Sequence, residues 1–190
     1  MGNGMLNRDT HSIENAVRDW LERVVIGLSL CPFAAAPYRA GRVRFKVSTT
    51  LDEEALLEDL HGELARMDRE PPAELETTLL IVPRMFPDFD VFNQFLELAD
   101  ALLEQFGWDG CYQIATFHPD YRFAGTASDD AGNLTNRSPY PILHLIREAS
   151  IEQALEHVDN PATIPARNIL TVESLTPEQR RHYFPYLIDR

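Results

Sequence analysis

A short run of apolar and β-branched residues, Thr77–Val82, lies between two segments with helical periodicity. The run ends at Pro83 and shows no polar alternation, which is typical of a strand covered on both faces. The flanking segments, Asp52–Met67 and Phe89–Phe106, carry apolar residues at spacings of three and four, which predicts amphipathic helices. A covered strand between two helices favours an α/β fold.

Two further strand-like runs lie outside these helices. Arg42–Ser48 alternates basic and apolar residues, which predicts a half-buried edge strand. Cys111–Phe117 is a short apolar run after the second helix and predicts a third strand. Three strands separated by two helices predict a βαβαβ unit, because such crossovers join parallel neighbours. The predicted fold is therefore a small parallel or mixed three-stranded sheet flanked by helices, with the second strand central.

The two ends of the chain are predicted to be helical. Ser12–Leu28 shows a helical stripe, a helix is predicted from Pro141 to about His157, and another is predicted over Pro165–Leu175. The predicted organisation is a flexible N terminus over residues 1–11, a single α/β domain over 12–175 and a C-terminal helical tail over 176–190. The tail is expected to dock on the domain, or on a second subunit as a homo-oligomer, through Tyr183, Phe184, Tyr186 and Leu187.

Composition excludes several classes of function. The net charge of −13 argues against a nucleic-acid or membrane-surface partner, because phosphate groups would be repelled. The most apolar early run, Val24–Ala36, is too short and too interrupted to span a bilayer. Two cysteines in 190 residues do not make a disulfide scaffold. We therefore expect a cytoplasmic protein with free thiols, whose partner is a small-molecule ligand.

Cys31, in the sequence Leu-Cys-Pro-Phe, is the first candidate for chemistry. If Pro32 opened a helical turn, Cys31 would cap it, and the helix dipole would lower the pKa of the thiol. The alternative is an inert cysteine buried in an apolar turn. In an enzyme, Cys31 would be the nucleophile or redox thiol, His118 the acid or base and Asp120 the residue that orients it.

The polar stretch His118–His144 is the second candidate. It follows a predicted strand, and ligands bind at the carboxyl ends of strands in open α/β sheets. A guanidinium offers a planar donor fork to a carboxylate or phosphate, so Arg137 would anchor an anionic substrate. The predicted substrate-binding residues are Asn136, Arg137, Ser138 and Tyr140. The alternative is an ordered loop in which Arg137 pairs with Asp129 or Asp130.

A metal site is a further hypothesis. On the predicted helix, His144 and Glu148 are four residues apart and would share one face. With His118 and Asp120 they would form a set of two histidines and two carboxylates, as in a metal-binding protein or a metal-assisted hydrolase. The alternative for each histidine is a surface or hydrogen-bonded core residue. No pattern identifies a cofactor, and a non-catalytic ligand-binding or oligomeric module is the third hypothesis.

Four basic residues lie close together in this acidic chain: Arg39, Arg42, Arg44 and Lys46. They would attract an anionic substrate, or they would form the solvated side of an edge strand, where charge discourages aggregation.

Four phrases resemble a known family in their order and spelling. They are LERVVIGLSLCPFA, VRFKVS, FHPDYRFAGTASDD and NRSPYPILHLIREASIEQAL. Over residues 12 to 175 the chain resembles the uncharacterised bacterial family named domain of unknown function 1415. The family has no established activity, so the resemblance implies a bacterial cytoplasmic protein. Its characteristic phrases fall on Cys31–Phe33, His118–Asp120 and Asn136–Pro141, which include the candidate residues.

Overall fold

A computed structural model describes residues 2–156, 158 and 160–188. Within them one mixed sheet of four strands forms, in the order β1-β2-β4-β3. The strands are β1 (Val43–Val47), β2 (Thr77–Ile81), β3 (Tyr112–Phe117) and β4 (Ile142–Arg147). β1 and β2 are parallel, and β4 runs antiparallel to both β2 and β3. The predicted positions of β1 at an edge and β2 in the centre are confirmed.

The fourth strand corrects the sequence prediction. Residues 142–147 were expected to be helical, but they form β4, and helix α5 (Glu148–Leu155) begins only after it. His157, the predicted end of that helix, lies outside the described residues. A short apolar run of this kind does not distinguish strand from helix by periodicity alone, and pairing with β2 and β3 decides it. Because β4 lies between β2 and β3, these two are not the parallel neighbours that were predicted.

Helices α3 (Glu53–Arg69) and α4 (Phe89–Gln105) form close to their predicted positions. Asp52 caps α3 by accepting from the Ala55 amide at 2.9 Å, and Asp88 caps α4 through the amides of residues 90 and 91. Both helices pack on one face of the sheet, where they bury a first cluster. This cluster includes Leu56, Leu60, Leu64, Leu80, Phe86, Phe92, Phe95, Leu143 and Leu145.

The opposite face is covered by the N-terminal and C-terminal helices. Helix α1 (Gly2–Trp20) continues as a π-helical segment, Leu21–Ile26, and includes residues 2–11, which were predicted to be flexible. A short helix, α2 (Ala35–Arg39), precedes β1, and α6 (Ile164–Glu173) lies near the other end of the chain. These elements bury a second cluster that includes Val17, Trp20, Leu21, Val24, Phe45, Val47, Leu79, Ile81, Ile142 and Val172.

The C-terminal tail packs on its own domain. It forms α7 (Pro177–Tyr183), with a capping box at Thr176, and a 3-10 turn, Pro185–Leu187. Phe184 is only 2% exposed and belongs to the second cluster, and Tyr183, Tyr186 and Leu187 pack against it. Among the described residues, no helix has both the length and the apolar composition needed to cross a bilayer.

Candidate functional site

Three loops meet at one edge of the sheet, where β1, β2 and β3 end and β4 begins. Main-chain hydrogen bonds join them: the Ser48 amide donates to Ile81 O at 2.8 Å, and the Val82 amide donates to Pro141 O at 2.9 Å. The loop from β3 to β4, which includes a 3-10 turn at Ala131–Asn136, is tied to the same edge by the His118 amide. The carboxyl edge of the parallel strands therefore carries the polar stretch that the sequence singled out.

His118 is buried, and both of its ring nitrogens bind main-chain groups. Nδ1 accepts from the Asp120 amide at 2.9 Å, so the ring proton lies on Nε2, which donates to Phe86 O at 2.9 Å. Phe86 has a φ of 58°, a left-handed conformation that is strained for a bulky side chain. Phe89 and Phe92 flank the imidazole, each with a centroid distance of 5.4 Å. This geometry makes His118 a residue that positions the loop, and it occupies the atoms that a general base would use.

Cys31 lies on the other side of the sheet from His118. It packs against the second cluster, whereas His118 contacts rings of the first cluster. Residues 31–34 form a turn, and α2 begins only at Ala35, so Cys31 caps no helix at Pro32. Burial raises the pKa of the Cys31 thiol, opposite to the shift that activation would require. The structure does not bring the hypothesised nucleophile and base together.

His144 is a hydrogen-bonded core residue of β4. The Thr77 hydroxyl donates to Leu145 O at 2.6 Å, so the Nε2–H of His144 donates to Thr77 Oγ1 at 2.8 Å. Its ring faces the second cluster, 6.2 Å from the ring of Phe117. Protein atoms surround the imidazole, although a minor part of the residue's surface is exposed, and burial lowers its pKa to about 4.

The four residues of the metal hypothesis are dispersed. His118 and Asp120 follow the carboxyl end of β3, whereas the Glu148 amide donates to Cys111 O at 2.9 Å, beside the amino end of that strand. The six residues of β3 separate the two positions by roughly 20 Å. Across residues 2–156, 158 and 160–188, no three His, Cys, Asp or Glu side chains are grouped as a metal site requires. This geometry does not support the metal hypothesis.

Arg42, just before β1, and the basic residues within the strand are paired with acidic side chains of the same chain. The pairs are Arg42 with Glu76 at 2.9 Å, Arg44 with Glu63 at 2.6 Å and Lys46 with Asp59 at 3.8 Å. Two of the acids belong to α3, which packs beside the strand. The charge of these basic residues is largely offset, so the arrangement favours the edge-strand explanation over attraction of an anion.

A buried asparagine that the sequence reasoning did not select holds the β3–β4 loop together. Asn133 is fully buried, and its Oδ1 accepts from the Phe123 amide at 3.0 Å and from Thr126 Oγ1 at 2.9 Å. Its Nδ2 donates to Ala127 O at 2.8 Å. Its presence in a long loop with Gly125 and Gly132 was the only available signal, since local sequence does not reveal which asparagine becomes buried.

Three of the predicted substrate-binding residues bind the protein itself. Asn136 Nδ2 donates to Thr116 O at 3.2 Å, and Ser138 Oγ donates to Tyr140 O at 2.6 Å. Ser138 is fully buried, and Tyr140 packs against the second cluster. These contacts shape the last part of the loop before β4 and leave Arg137 as the fourth predicted residue.

Arg137 is held from both its side chain and its main chain. Its Nε donates to Tyr121 O at 3.3 Å, and its Nη2 donates to Ser128 O at 2.5 Å. Its carbonyl oxygen accepts from Trp20 Nε1 at 3.0 Å and from the Tyr186 hydroxyl at 3.2 Å. The side-chain partners are carbonyl oxygens, so the expected pairing of Arg137 with Asp129 or Asp130 is not the arrangement observed.

The charge of Arg137 is only partly compensated. Burial lowers the pKa of its guanidinium, and the nearby Asp120 carboxylate acts in the opposite direction. Among the described residues, no carboxylate lies within the 4.0 Å ion-pair distance of its nitrogens, and Nη1 donates to no protein acceptor. A buried Nη1 without an acceptor would be an unsatisfied donor, and Nη1 is not such an atom. It therefore reaches solvent. This arrangement places a half-buried cation with an unused donor at the carboxyl edge of the sheet.

The chain belongs to the family described as "Protein of unknown function (DUF1415)", whose model matches residues 12–182. The match confirms the resemblance recognised in the sequence and extends it into α7. Neither the curated proteins nor the solved structures contain a match to the chain. The family description assigns no activity, so a functional proposal depends on the geometry of the site.

Proposed function

We propose that this protein binds a small anionic molecule at Arg137, at the carboxyl edge of its sheet. The observation that carries the proposal is the half-buried guanidinium, whose protein acceptors are carbonyl oxygens and whose Nη1 reaches solvent. A carboxylate or phosphate oxygen would supply the charged acceptor that Nη1 lacks among the described residues.

The setting of Arg137 strengthens such an interaction. Partial burial reduces screening by water, so an anion at this guanidinium gains more electrostatic energy than it would at a fully exposed arginine. The bonds to Tyr121 O and Ser128 O hold the guanidinium in one orientation, so little side-chain entropy remains to be lost on binding.

The proposal is for ligand binding and assigns no nucleophile. His118 supports the site indirectly, because its ring fixes the Asp120 amide and thereby the turn whose next carbonyl, Tyr121 O, accepts from Arg137. Cys31 has no role in it, since the sheet separates this thiol from His118 and burial raises its pKa.

The test is a titration of the full chain with acetate, succinate and inorganic phosphate, followed by amide chemical shifts. We expect at least one probe to bind the native protein and Arg137→Gln to weaken that affinity about tenfold or more, since charge-assisted bonds are lost. Arg122→Gln is the matched control: it removes the same charge from the same loop, but Arg122 pairs with Asp90 at 3.1 Å on the surface. Its affinity should stay within about twofold of the native value. Failure of all three probes to bind, or equal affinities for the two folded variants, would contradict the proposal.

A further inference from the structure

β3 is an edge strand, and half of its main-chain groups point away from the sheet. In an antiparallel pair, residues alternate between bonding the neighbouring strand and facing away from it. The Glu148 amide donates to Cys111 O at 2.9 Å, so every second residue after Cys111 bonds β4. The N–H and C=O groups of Tyr112, Ile114 and Thr116 therefore lie on the outer side of β3.

Both ends of this outer edge are closed by the chain itself. At one end the Tyr112 amide donates to Trp108 O at 3.0 Å, and at the other Asn136 Nδ2 donates to Thr116 O at 3.2 Å. Four groups remain between them: Tyr112 O, Ile114 N–H, Ile114 O and Thr116 N–H. Within the described part of the chain these four groups have no hydrogen-bond partner. Buried main-chain groups are almost always paired, so these groups face solvent.

The order of the four groups along β3 is self-complementary. We infer that β3 pairs antiparallel with β3 of a second copy of this chain, about a two-fold axis at Ile114, so that the two sheets become continuous. Each Ile114 amide donates to Ile114 O of the other copy, and each Thr116 amide donates to Tyr112 O of the other copy. This register uses all four groups of each copy. The two groups that it does not use, Tyr112 N–H and Thr116 O, are those that Trp108 and Asn136 already bind.

The two edges of the sheet differ in charge in a way that favours this pairing. β1, the other edge, carries Arg44 and Lys46, and charged side chains on an edge strand oppose the addition of another strand. β3 carries no charged residue, although the whole chain has a net charge of −13. Two copies of this acidic protein can therefore pair at β3 without charge repulsion between the strands. The long-range repulsion that remains is screened by salt.

Gln113 gives a direct readout of this register. Its side chain is exposed in the single chain. In the paired strands it lies opposite Ala115 of the other copy, and the two Gln113 side chains are diagonal neighbours on one face, about 7–8 Å apart. A charge at this position is therefore solvated in the monomer and meets its own copy in the dimer.

The first experiment is sedimentation velocity of the full chain at concentrations from about 1 to about 500 μM. We expect a monomer–dimer equilibrium with a micromolar dissociation constant, because a short strand pairing buries little surface, and tighter association at higher salt. Amide hydrogen exchange locates the contact: at the highest concentration the Ile114 and Thr116 amides should become about tenfold better protected. A monomer at every concentration, or a dimer that protects neither amide, overturns the inference.

The second experiment changes the charge of the edge. Gln113→Glu should raise the dissociation constant of the dimer about fivefold or more, because like charges at diagonal positions repel. Gln94→Glu is the matched control: it adds the same charge at an exposed position of α4, so the long-range repulsion changes equally. Its dissociation constant should stay within about twofold of the native value. Equal weakening by the two substitutions would contradict the register.

The third experiment removes the central donor. Proline is tolerated on an edge strand where the N–H faces solvent, so Ile114→Pro should abolish the dimer in a chain that circular dichroism shows to be folded. Val43→Pro is its control in β1, where the Thr77 amide donates to Arg42 O and the next amide faces away from β2. Dimerisation of Ile114→Pro with native affinity, or an equal loss in Val43→Pro, overturns the inference. Neither result bears on the anion site at Arg137.

Discussion

Two arginines lie near opposite ends of β4 and use the same chemistry for different purposes. Arg137 precedes the strand at the carboxyl edge, and Arg147 is its last residue at the other edge. Each is half-buried, binds main-chain carbonyl oxygens and has no carboxylate partner within the described residues. The nitrogens of Arg147 are all occupied, whereas Nη1 of Arg137 is not.

Arg147 closes the C-terminal end of α3. Its Nη2 donates to Met67 O and to Glu70 O, the latter at 2.7 Å, and its Nε and Nη2 both donate to Leu75 O. Its Nη1 donates to the Tyr112 hydroxyl at 3.1 Å. The last carbonyls of a helix lack intrahelical donors, so this guanidinium satisfies acceptors that would otherwise be unpaired. If the proposed function is right, the number of acceptors around a half-buried guanidinium separates a structural clamp from a binding donor.

The largest effect should come from removing the clamp. Replacing Arg147 with Met leaves the carbonyls of Met67, Glu70 and Leu75 without their donor, and we expect the free energy of unfolding to fall by about 4 kcal/mol. Urea denaturation measures it. Arg69→Met, at an exposed position near the end of the same helix, should change stability by about 0.5 kcal/mol or less. Similar losses in the two variants would break the comparison.

The second-largest effect is a pH-dependent change in stability caused by His144, on the strand between the two arginines. The pKa of His144 falls from 6.5 to about 4 on folding, so the unfolded chain binds the proton more tightly. The stability that the neutral His144 imidazole contributes is fully present above about pH 6.5. It is lost as the pH falls toward about 4, the pKa of His144 in the folded protein. Native protein should lose about 2 kcal/mol more stability between about pH 7.5 and about pH 5 than His144→Gln does. If the free energies of unfolding of the two proteins changed with pH by the same amount, His144 would make no such contribution.

A smaller loss of stability is expected at Arg137. Arg137→Gln gives up bonds to two loop carbonyls, Tyr121 O and Ser128 O, that water can reach in part, so the free energy of unfolding should fall by about 1 kcal/mol. The same variant should lose anion binding, while Arg147→Met, assayed under conditions where it is folded, should retain it. If Arg137→Gln were as destabilising as Arg147→Met, Arg137 would be a clamp as well.

The smallest effect is expected at Tyr186. Tyr186→Phe removes one of two donors to Arg137 O, and the Trp20 indole N–H remains at 3.0 Å, so the acceptor stays paired. We expect a loss of about 0.5 kcal/mol in urea denaturation. Tyr183→Phe, which alters a neighbouring tail hydroxyl with no bond to Arg137, should cost less still. A loss of several kcal/mol at Tyr186 would show that the tail, rather than the loop, holds Arg137 in place.

Much of the fold could be predicted from local pattern. The covered run at β2, the alternating run at β1 and the helical stripes of α3 and α4 all form within a few residues of the expected bounds. The prediction was wrong for residues 142–147, because a six-residue apolar segment fits either a strand or a helix. That one assignment also placed His144 and Glu148 on a shared helix face, so the metal hypothesis depended on it.

The sequence by itself determined the order of the local elements, the family and the polar loop at the carboxyl edge, since these follow from periodicity, spelling and chain order. Only the tertiary structure decided which polar groups remain available there. It separated Cys31 from His118 by a sheet, occupied both imidazole nitrogens and left Arg137 with an unused donor. Hydrogen-bond partners of this kind come from residues far apart in the chain, and local sequence patterns contain no information about them.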